Sequence, residues 1–249
     1  MRITICLLLF TILNVARADD SLSVGNEAYA KCDLDKAIAA YRVAHKDDPK
    51  NYEATWRLAR AINDQATLMK RSAQQKALYL ESQSLAQEAV KLNPEDSKGY
   101  LFLSIAEGNV ALYEGGKKKV ELGVDVKKQA QKAIELNPKE DLAYHVLGIW
   151  NREMATLNAF LRTFAEWLYG KFPPASLDVA VENFQKAIEI DNTAIAHHVE
   201  LGVTYGTMKK WAEAKAQFQK ALDLPKQYPA DGNYQKQAKD ELEKLKRKT

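Results

Sequence analysis

Residues 195–225 carry a spacing of small and aromatic residues that strongly limits what this chain can fold into. Leu201 and Gly202 lie three and four positions after His198. Further along come Tyr205, Ala214, Phe218, Ala221 and Pro225. Glycine and alanine allow two helices to approach closely, and aromatic side chains fill the space beside them. A polar corner over residues 208–210 separates the two halves, so the segment predicts two antiparallel helices.

The order of these residues is that of a tetratricopeptide repeat, with His198 at the position where tryptophan is usual. A single hairpin of this kind cannot bury its apolar face alone, so it predicts neighbours. Its closing signature, a small residue followed by an Asn, Asp or Pro stop, recurs upstream. The alanines that mark the signature are Ala44, Ala89, Ala133, Ala187 and Ala221. Their spacings are 45, 44, 54 and 34 residues, and only the last equals the usual repeat.

We therefore predict an all-α fold, an α-solenoid of tetratricopeptide-like helix-turn-helix repeats with elongated hairpins and a C-terminal capping helix. The predicted repeats cover about residues 21–49, 51–94, 97–138, 141–192 and 195–225, and the cap covers residues 233–248. The additional residues of the second, third and fourth repeats fall between the two helices of each hairpin. We expect long helices in the second repeat and a flexible basic corner over residues 113–123 in the third. These corners should emerge along one extended edge.

The first eighteen residues predict a signal peptide rather than part of the fold. A basic start at Arg2 is followed by an apolar run from Ile3 to Val15, and residues 16–18 have the A-x-A form of a cleavage site. An uncleaved anchor is the alternative, although the run is short for a membrane span of about 20 residues. Cleavage would leave Cys32 as a free surface thiol in a periplasmic or secreted protein without an internal disulfide.

Composition and motifs argue against nucleic-acid binding and catalysis. The formal net charge is +3, and loss of the leader lowers it to +1, so the basic character of a nucleic-acid-binding domain is missing. Residues 115–117 are Gly-Gly-Lys, but the spacing and hydroxyl residue of a phosphate-binding loop are missing. His197 and His198 are adjacent and point about 100° apart on a helix, without the spacing of a zinc-binding helix. We predict no enzymatic activity, no cofactor and no metal site.

The extra residues of the fourth repeat contain an apolar stripe. Its members recur at three- and four-residue steps, with Trp167 beside them, and are Leu157, Phe160, Leu161, Phe164, Leu168 and Phe172. This pattern predicts a helix that packs onto the solenoid as additional core, because exposing so much apolar area is costly. The alternative is a contact surface for an apolar ligand, a partner protein or a membrane. Its residues would be Leu157, Phe160, Phe164, Trp167 and Leu168.

Four segments carry a specific likeness to a known family. They are the corner Glu114–Lys117, the helix Ala143–Trp150, the turn Phe172–Ser176 and the tail Lys220–Pro225. Together they resemble the regulator of microtubule dynamics family, over roughly residues 50–245. The resemblance implies an all-helical tetratricopeptide-like domain without catalysis; some members are described as microtubule-associated and others as lipid-binding proteins at organelle contacts. The leader departs from that setting and favours a bacterial exported member.

Two functions remain open from the sequence. The first is a scaffold or adaptor whose concave groove binds a protein or peptide partner. Its candidate lining residues, all on first helices, are His145, Trp150, Asn151, His198 and Tyr205. The second is the binding or transfer of lipid or another hydrophobic ligand, and a microtubule-associated role follows if the family's eukaryotic role applies. A polar groove would favour a peptide, and a dry apolar tunnel would favour a lipid.

Overall fold

The computed structural model describes residues 19–170 and 175–246, so the predicted leader and part of the Phe172–Ser176 turn lie outside the described residues. The described residues form twelve helices and no strand. The first helix, α1, covers residues 19–30. The others are α2 Leu34–Asp47, α3 Tyr52–Leu68, α4 Ala73–Leu92, α5 Ser97–Glu114, α6 Gly116–Leu136, α7 Asp141–Ala155, α8 Ala159–Tyr169, α9 Leu177–Ile190, α10 Ile195–Thr207, α11 Trp211–Asp223 and α12 Asp231–Leu245.

The helices pack as five successive hairpins in two layers. The hairpin partners are α1 and α2, α3 and α4, α5 and α6, α7 and α9, and α10 and α11. Each second helix also contacts the first helix of the next hairpin, and the first helices α3, α5, α7 and α10 contact one another in turn. First helices therefore form the inner layer, and α12 covers α10 and α11 at the C-terminal end. The predicted α-solenoid with a capping helix is confirmed.

The extra residues of the second and third hairpins lengthen their helices. Helices α3 and α4 contain 17 and 20 residues, and α5 and α6 contain 18 and 21, whereas α10 and α11 contain 13 each. At 1.5 Å per residue, α6 is about 12 Å longer than α10 or α11. The prediction of elongated hairpins is confirmed, and the corners between first and second helices project along one edge of the solenoid.

The prediction of a flexible basic corner over residues 113–123 is wrong. Helix α5 runs to Glu114 and α6 starts at Gly116, so Gly115 alone separates two long helices. Gly115 makes this reversal possible because its φ of 69° is in the left-handed region. The lysine run at 117–119 is therefore the first turn of α6, held by contacts that are distant in the sequence. One of them is the ion pair between Lys119 Nζ and Glu153 Oε2, at 2.9 Å.

Two helix crossings show why the repeat needs glycine at fixed positions. A Cβ added at Gly148 would lie 2.7 Å from Phe184 Cε1, and one added at Gly202 would lie 2.7 Å from Phe218 Cε1. Both phenylalanine rings are buried in the core. In each crossing, the ring from the second helix occupies the space that a side chain on the first helix would take. The distance between the paired helices is therefore set by glycine on one side and phenylalanine on the other.

The corners of the first and last hairpins each place a non-glycine residue in the left-handed region. Cys32 has a φ of 58° and Lys209 a φ of 61°. This conformation costs a non-glycine residue roughly 1–2 kcal/mol, because its Cβ approaches the backbone.

Replacing Lys209 with glycine is expected to raise the free energy of unfolding by about 1 kcal/mol, since glycine adopts a positive φ without that steric cost. Urea denaturation of both proteins measures the difference. The matched control is the exposed Lys215, inside α11, where the same substitution should lower stability by about 1 kcal/mol. Equal effects at the two positions would contradict the interpretation.

Helix α8 packs against α6 along one edge and exposes the other. Leu157 and Ala165 are buried in the cluster that surrounds Trp150, and Phe164 is half-buried against the same cluster. The exposed side chains are Phe160 (66%), Trp167 (77%) and Leu168 (38%). The apolar insert is therefore partly additional core and partly an exposed apolar surface.

Candidate functional site

The inner layer surrounds a cavity of about 370 Å³. The first helices of all five hairpins line it, together with part of α6 and the segment that leads into α12. Its volume lies at the lower end of the roughly 300–1,000 Å³ that is typical of ligand pockets. The concave face of the solenoid is therefore large enough for a small ligand or a short stretch of peptide.

The floor of the cavity is apolar and comes mainly from α5 and α7. The apolar side chains are Phe102, Ile105, Leu142, Val146, Ile149 and Met154. Trp150 also belongs to the floor, and its indole N–H donates a hydrogen bond to the Gly123 carbonyl oxygen at 2.5 Å. That bond satisfies the polar atom of a buried indole and fixes the position of the ring. The floor is suited to an apolar side chain or a hydrocarbon segment.

Two ion pairs lie beside this floor. Lys98 Nζ lies 2.7 Å from Glu140 Oε1, and Lys119 Nζ lies 2.9 Å from Glu153 Oε2. All four residues line the cavity. Because each ammonium group is next to a carboxylate, the two pairs add little net charge to the cavity. A ligand would therefore meet paired polar groups rather than a strong field of one sign.

Polar groups from α1, α3 and α5 form one wall. Tyr29 donates a short hydrogen bond to Asp64, and Arg60 lies 4.1 Å over the Tyr29 ring. Burial raises the pKa of the Asp64 carboxyl, and the nearby Arg60 opposes the change. Asn109 Nδ2 donates to Asn63 Oδ1 at 2.8 Å, which joins the first helices of the second and third hairpins. Side-chain amides can both donate and accept hydrogen bonds, as a peptide backbone requires.

A chain of three side chains forms the opposite wall. Asp141 Oδ2 lies 2.9 Å from His197 Nε2, and His197 Nδ1 lies 2.9 Å from His145 Nδ1. Since the Asp141 carboxylate accepts from Nε2 of His197, a neutral His197 accepts at Nδ1 and the N–H of His145 donates there. Burial first, and then the neighbouring His197 ring and Arg152 guanidinium, lower the pKa of His145 well below its ordinary value. This wall is therefore uncharged at His145 near neutral pH.

The C-terminal segment closes the cavity from the side of the first hairpin. Tyr228, Pro229 and Ala230 line it, followed by Asp231 at the start of α12. Asp231 Oδ2 accepts from the backbone N–H groups of Gln227 and Tyr228, at 2.7 and 2.8 Å, which fixes the turn into α12. Cys32, at the first corner, is an exposed free thiol, with its Sγ 3.8 Å from the Gln227 carbonyl oxygen. The two ends of the solenoid thus meet beside the cavity.

The residues predicted for the groove divide into two groups. His145 and Trp150 line the cavity. Asn151 instead donates to the Leu147 carbonyl oxygen of its own helix, at 2.8 Å. His198 faces α11, where its Nδ1 lies 2.8 Å from Gln217 Oε1. These contacts place Asn151 and His198 in the packing between helices.

Tyr205, the fifth predicted groove residue, lies between helices near the end of α10. It is half-buried and packs with the clusters around Phe184 and Phe218. Its hydroxyl oxygen accepts a hydrogen bond from Gln185 Nε2 at 3.4 Å. These contacts assign Tyr205 to the outer side of the inner layer, away from the cavity wall.

Sequence reasoning missed most of the polar cavity residues. The ones with the clearest contacts are Asn63, Lys98, Asn109, Asp141, Glu153 and His197. Their signal in the sequence is a polar residue inside a first helix that is otherwise apolar. This signal does not identify the exact residue. His197 bonds to Asp141 at the cavity, whereas the neighbouring His198 faces α11 on another side of the same helix.

The described residues hold no group of three or more His, Cys, Asp or Glu side chains placed to bind a metal ion. In the same part of the chain, every helix is too short or too polar to cross a membrane. The chemistry that the cavity does offer is recognition, through an apolar floor, amide groups and paired charges.

The fold and the cavity define a class, the tetratricopeptide-like helical-repeat scaffold. One solved structure of this class is TTC0263, a thermophilic TPR protein of Thermus thermophilus, which superimposes with a TM-score of 0.65. The two chains are 22% identical, and the match covers 90% of this chain and 98% of that one. At this identity the likeness supports the fold alone.

The profile of the family described as regulator of microtubule dynamics protein 1-3 matches residues 18–246. Regulator of microtubule dynamics protein 1 of Mus musculus is 30% identical over 232 residues, which are 92% of this chain and 74% of that protein. The protein of the same description in Bos taurus is 32% identical over 202 residues, 80% of this chain. The chain therefore belongs to the regulator of microtubule dynamics family.

The relatives differ from this chain in length. The matched region is 62% of the Bos taurus protein and 40% of regulator of microtubule dynamics protein 3 of Mus musculus. This chain thus spans about three-fifths of the length of some relatives and less of others. The shared part is the helical-repeat region described above.

Proposed function

We propose that this chain is a non-catalytic adaptor that binds a short segment of a protein partner in its inner cavity. The observation that supports the proposal is the arrangement of the cavity, where an apolar floor is surrounded by amides and paired charges. A peptide presents the complementary groups, namely apolar side chains together with backbone donors and acceptors.

The charges of the cavity restrict which peptide would fit. Lys98 and Lys119 are each paired with a carboxylate, and His145 is uncharged near neutral pH. A strongly acidic or basic segment would have to break those pairs, and a buried charge left without a partner is costly. We therefore expect a segment with one or two large apolar side chains and little net charge. Its binding should depend only weakly on salt.

Gly108 provides a way to fill the cavity without disturbing the core. It lies on α5 and lines the cavity, and an added Cβ would meet Val126 Cγ1 at an ordinary 3.9 Å. Leucine at this position would occupy ligand space. It would also favour the helix, because leucine has a higher helix propensity than glycine.

The Gly108→Leu substitution is expected to weaken peptide binding by about tenfold or more, since the leucine takes the place of an apolar ligand group. Peptides are first selected from a display library of the source proteome on the wild-type protein, and their dissociation constants are then measured by fluorescence anisotropy. The matched control is Gly206→Leu in α10, where an added Cβ meets no atom within 4 Å. Selected peptides that bind both variants equally, or a selection without enriched peptides, would reject the proposal.

A second candidate is supported by the floor alone. Its six apolar side chains and Trp150 would also accept the hydrocarbon part of a small hydrophobic ligand or lipid chain. Native mass spectrometry of gently purified protein distinguishes the two candidates, because a bound ligand adds a defined mass in the wild type and in Gly206→Leu but not in Gly108→Leu.

The relatives are named as regulators of microtubule dynamics, and a microtubule-associated role for this chain remains a further candidate. Co-sedimentation with polymerised tubulin tests it directly. Export is a separate part of our proposal, in which cleavage after Ala18 releases a periplasmic or secreted protein. Amino-terminal sequencing of the native protein should then read Asp19 first.

A further inference from the structure

The exposed apolar side chains concentrate on one edge of the solenoid. This edge contains the corners between α3 and α4, between α5 and α6, and the helix α8 between α7 and α9. Of the nine large apolar side chains that are exposed in the described part of the chain, five lie here: Leu68, Leu112, Phe160, Trp167 and Leu168. The opposite edge, where each hairpin leads to the next, consists of polar stops such as Asn93-Pro94 and Asn137-Pro138.

Direct contacts join the three corners into one surface. The Arg71 guanidinium lies 4.2 Å over the Tyr113 ring and donates to the Tyr113 carbonyl oxygen, which connects the first corner to the second. Lys117 Nζ lies 4.9 Å from the Phe164 ring and 5.6 Å from the Phe160 ring, which connects the second corner to α8. We name this surface the corner edge, and keep the name for Leu68–Arg71, Leu112–Lys118 and α8.

The corner edge carries exposed cations among its apolar groups. Lys70, Arg71, Lys117, Lys118 and Arg162 are all exposed. Glu114 is paired with Lys76, and Glu121 with Lys118 of the edge itself. Glu166 on α8 is a third carboxylate and is exposed, so the cations of the edge still outnumber its carboxylates. A surface with protruding aromatic side chains and surrounding cations is complementary to a bilayer that has an anionic surface and an apolar interior.

We propose that the corner edge is a docking surface for an anionic phospholipid bilayer. Phe160 and Trp167 would enter the headgroup region, where aromatic side chains are favoured, and the lysines and arginines would contact lipid phosphates. Phe160 and Trp167 are 66% and 77% exposed, so they can enter a deformable lipid surface without a preformed pocket in a partner. A second copy of this chain is a poorer occupant, because it would bring a second set of cations against the first.

The test is flotation of the protein with large unilamellar vesicles of phosphatidylcholine, with or without phosphatidylserine. The full chain and a chain that starts at Asp19 are assayed in parallel, because the apolar run at residues 3–15 would itself bind lipid. We expect co-flotation with the anionic vesicles at low salt, little with phosphatidylcholine alone, and loss at high salt. The tryptophan emission of the protein should shift to shorter wavelength on binding, because Trp167 is 77% exposed in the free protein.

Two sets of variants distinguish docking through the corner edge from a non-specific electrostatic attraction of the whole protein to anionic vesicles. Phe160→Ser with Trp167→Ser removes the inserted groups, and Lys117→Glu with Lys118→Glu reverses two charges; each set should lower binding by about tenfold or more. The matched control, Lys50→Glu with Lys139→Glu, makes the same charge change at exposed positions on the opposite edge and should retain binding. All these positions are exposed, and circular dichroism verifies that the helices are retained.

Three results would overturn the proposal. The first is failure of the Asp19 chain to float with anionic vesicles at low salt. The second is equal binding by the corner-edge variants and the opposite-edge control. The third is a concentration-dependent dimer in analytical ultracentrifugation that Phe160→Ser with Trp167→Ser abolishes, because the surface would then bind a second copy. None of these results depends on the cavity, so they test membrane docking without testing the proposed binding of a peptide in the cavity.

Discussion

Replacing Glu200 with alanine is expected to lower the free energy of unfolding by about 3 kcal/mol or more. Glu200 Oε2 lies 2.6 Å from Arg152 Nη2, and both side chains are 11% exposed. The pair joins α7 to α10, the first helices of consecutive hairpins. Removing Glu200 takes the closest carboxylate away from a buried guanidinium, and the desolvation cost that is no longer offset makes the effect large.

The remaining contacts of Arg152 should keep the loss of unfolding free energy near 3 kcal/mol, the lower end of the roughly 3–5 kcal/mol that breaking a buried ion pair costs. Its Nη1 also donates to the Glu200 backbone carbonyl at 3.2 Å and to Thr204 Oγ1 at 3.3 Å, and both acceptors remain after the substitution. Glu153 Oε1, 3.8 Å from Arg152 Nε, supplies some remaining negative charge. The guanidinium therefore keeps hydrogen bonds but loses its closest carboxylate.

Urea denaturation of the wild type, the single variants and the double variant Arg152→Met with Glu200→Leu measures this prediction. The double variant should be within about 2 kcal/mol of the wild type, because it removes both charges together. The matched control is the exposed pair of Lys132 and Glu135 on α6, where Glu135→Ala should cost at most about 1 kcal/mol. A Glu200→Ala variant as stable as the Glu135→Ala variant would show that the buried pair is not a major link between hairpins.

The helix crossings could be predicted from the sequence because their cause is local and periodic. Gly148 and Gly202 have no space for a side chain, since a phenylalanine on the partner helix fills it. The same requirement applies at Gly25, which faces Tyr41 in the first hairpin, so three of the five hairpins carry a glycine opposite an aromatic residue. The fold class follows from that repetition without any knowledge of distant contacts.

The cavity wall could not be predicted in the same way, because one position along a helix turns a side chain by about 100°. His198 carries the repeat signature but faces α11, whereas His197 faces the cavity and bonds to Asp141. The lysine run after Gly116 is helical, and its Lys119 donates to Glu153, which lies 34 residues further along the chain. The position of Tyr228 at the cavity likewise depends on residues far from it in the sequence, beginning with Tyr29 on α1.

Replacing Glu107 with glutamine is expected to stabilise the protein at neutral and alkaline pH, by on the order of 3 kcal/mol. Glu107 lies on α5 and is 6% exposed, and its Oε2 has no hydrogen-bond partner among the described residues. Burial, followed by repulsion from Asp125, raises the pKa of the Glu107 carboxyl to about 7, although a hydrogen bond from Gln83 opposes the change. The folded protein therefore holds a proton that the unfolded chain releases at about 4.5.

The sign of the pH dependence follows from these two pKa values. Between pH 4.5 and 7 the folded state binds more protons at Glu107 than the unfolded state, so this residue makes the wild type less stable as the pH rises. Glutamine cannot ionise, and the advantage of the variant should grow over that interval and stay constant above it. The lowered pKa of His145 acts in the opposite direction, with stability lost as the pH falls below about 6.5, but both proteins share that contribution.

Urea denaturation of both proteins at several pH values on each side of this interval tests the prediction, with the difference in unfolding free energy as the measured quantity. The matched control is Glu135→Gln, which makes the same carboxylate-to-amide change at an exposed position of α6. Asp125→Asn supplies an independent check. It removes the repulsion that raises the pKa of Glu107, so it should reduce the pH dependence without removing the carboxyl. A Glu107→Gln advantage that is independent of pH would mean that this carboxyl ionises equally in the folded and unfolded states.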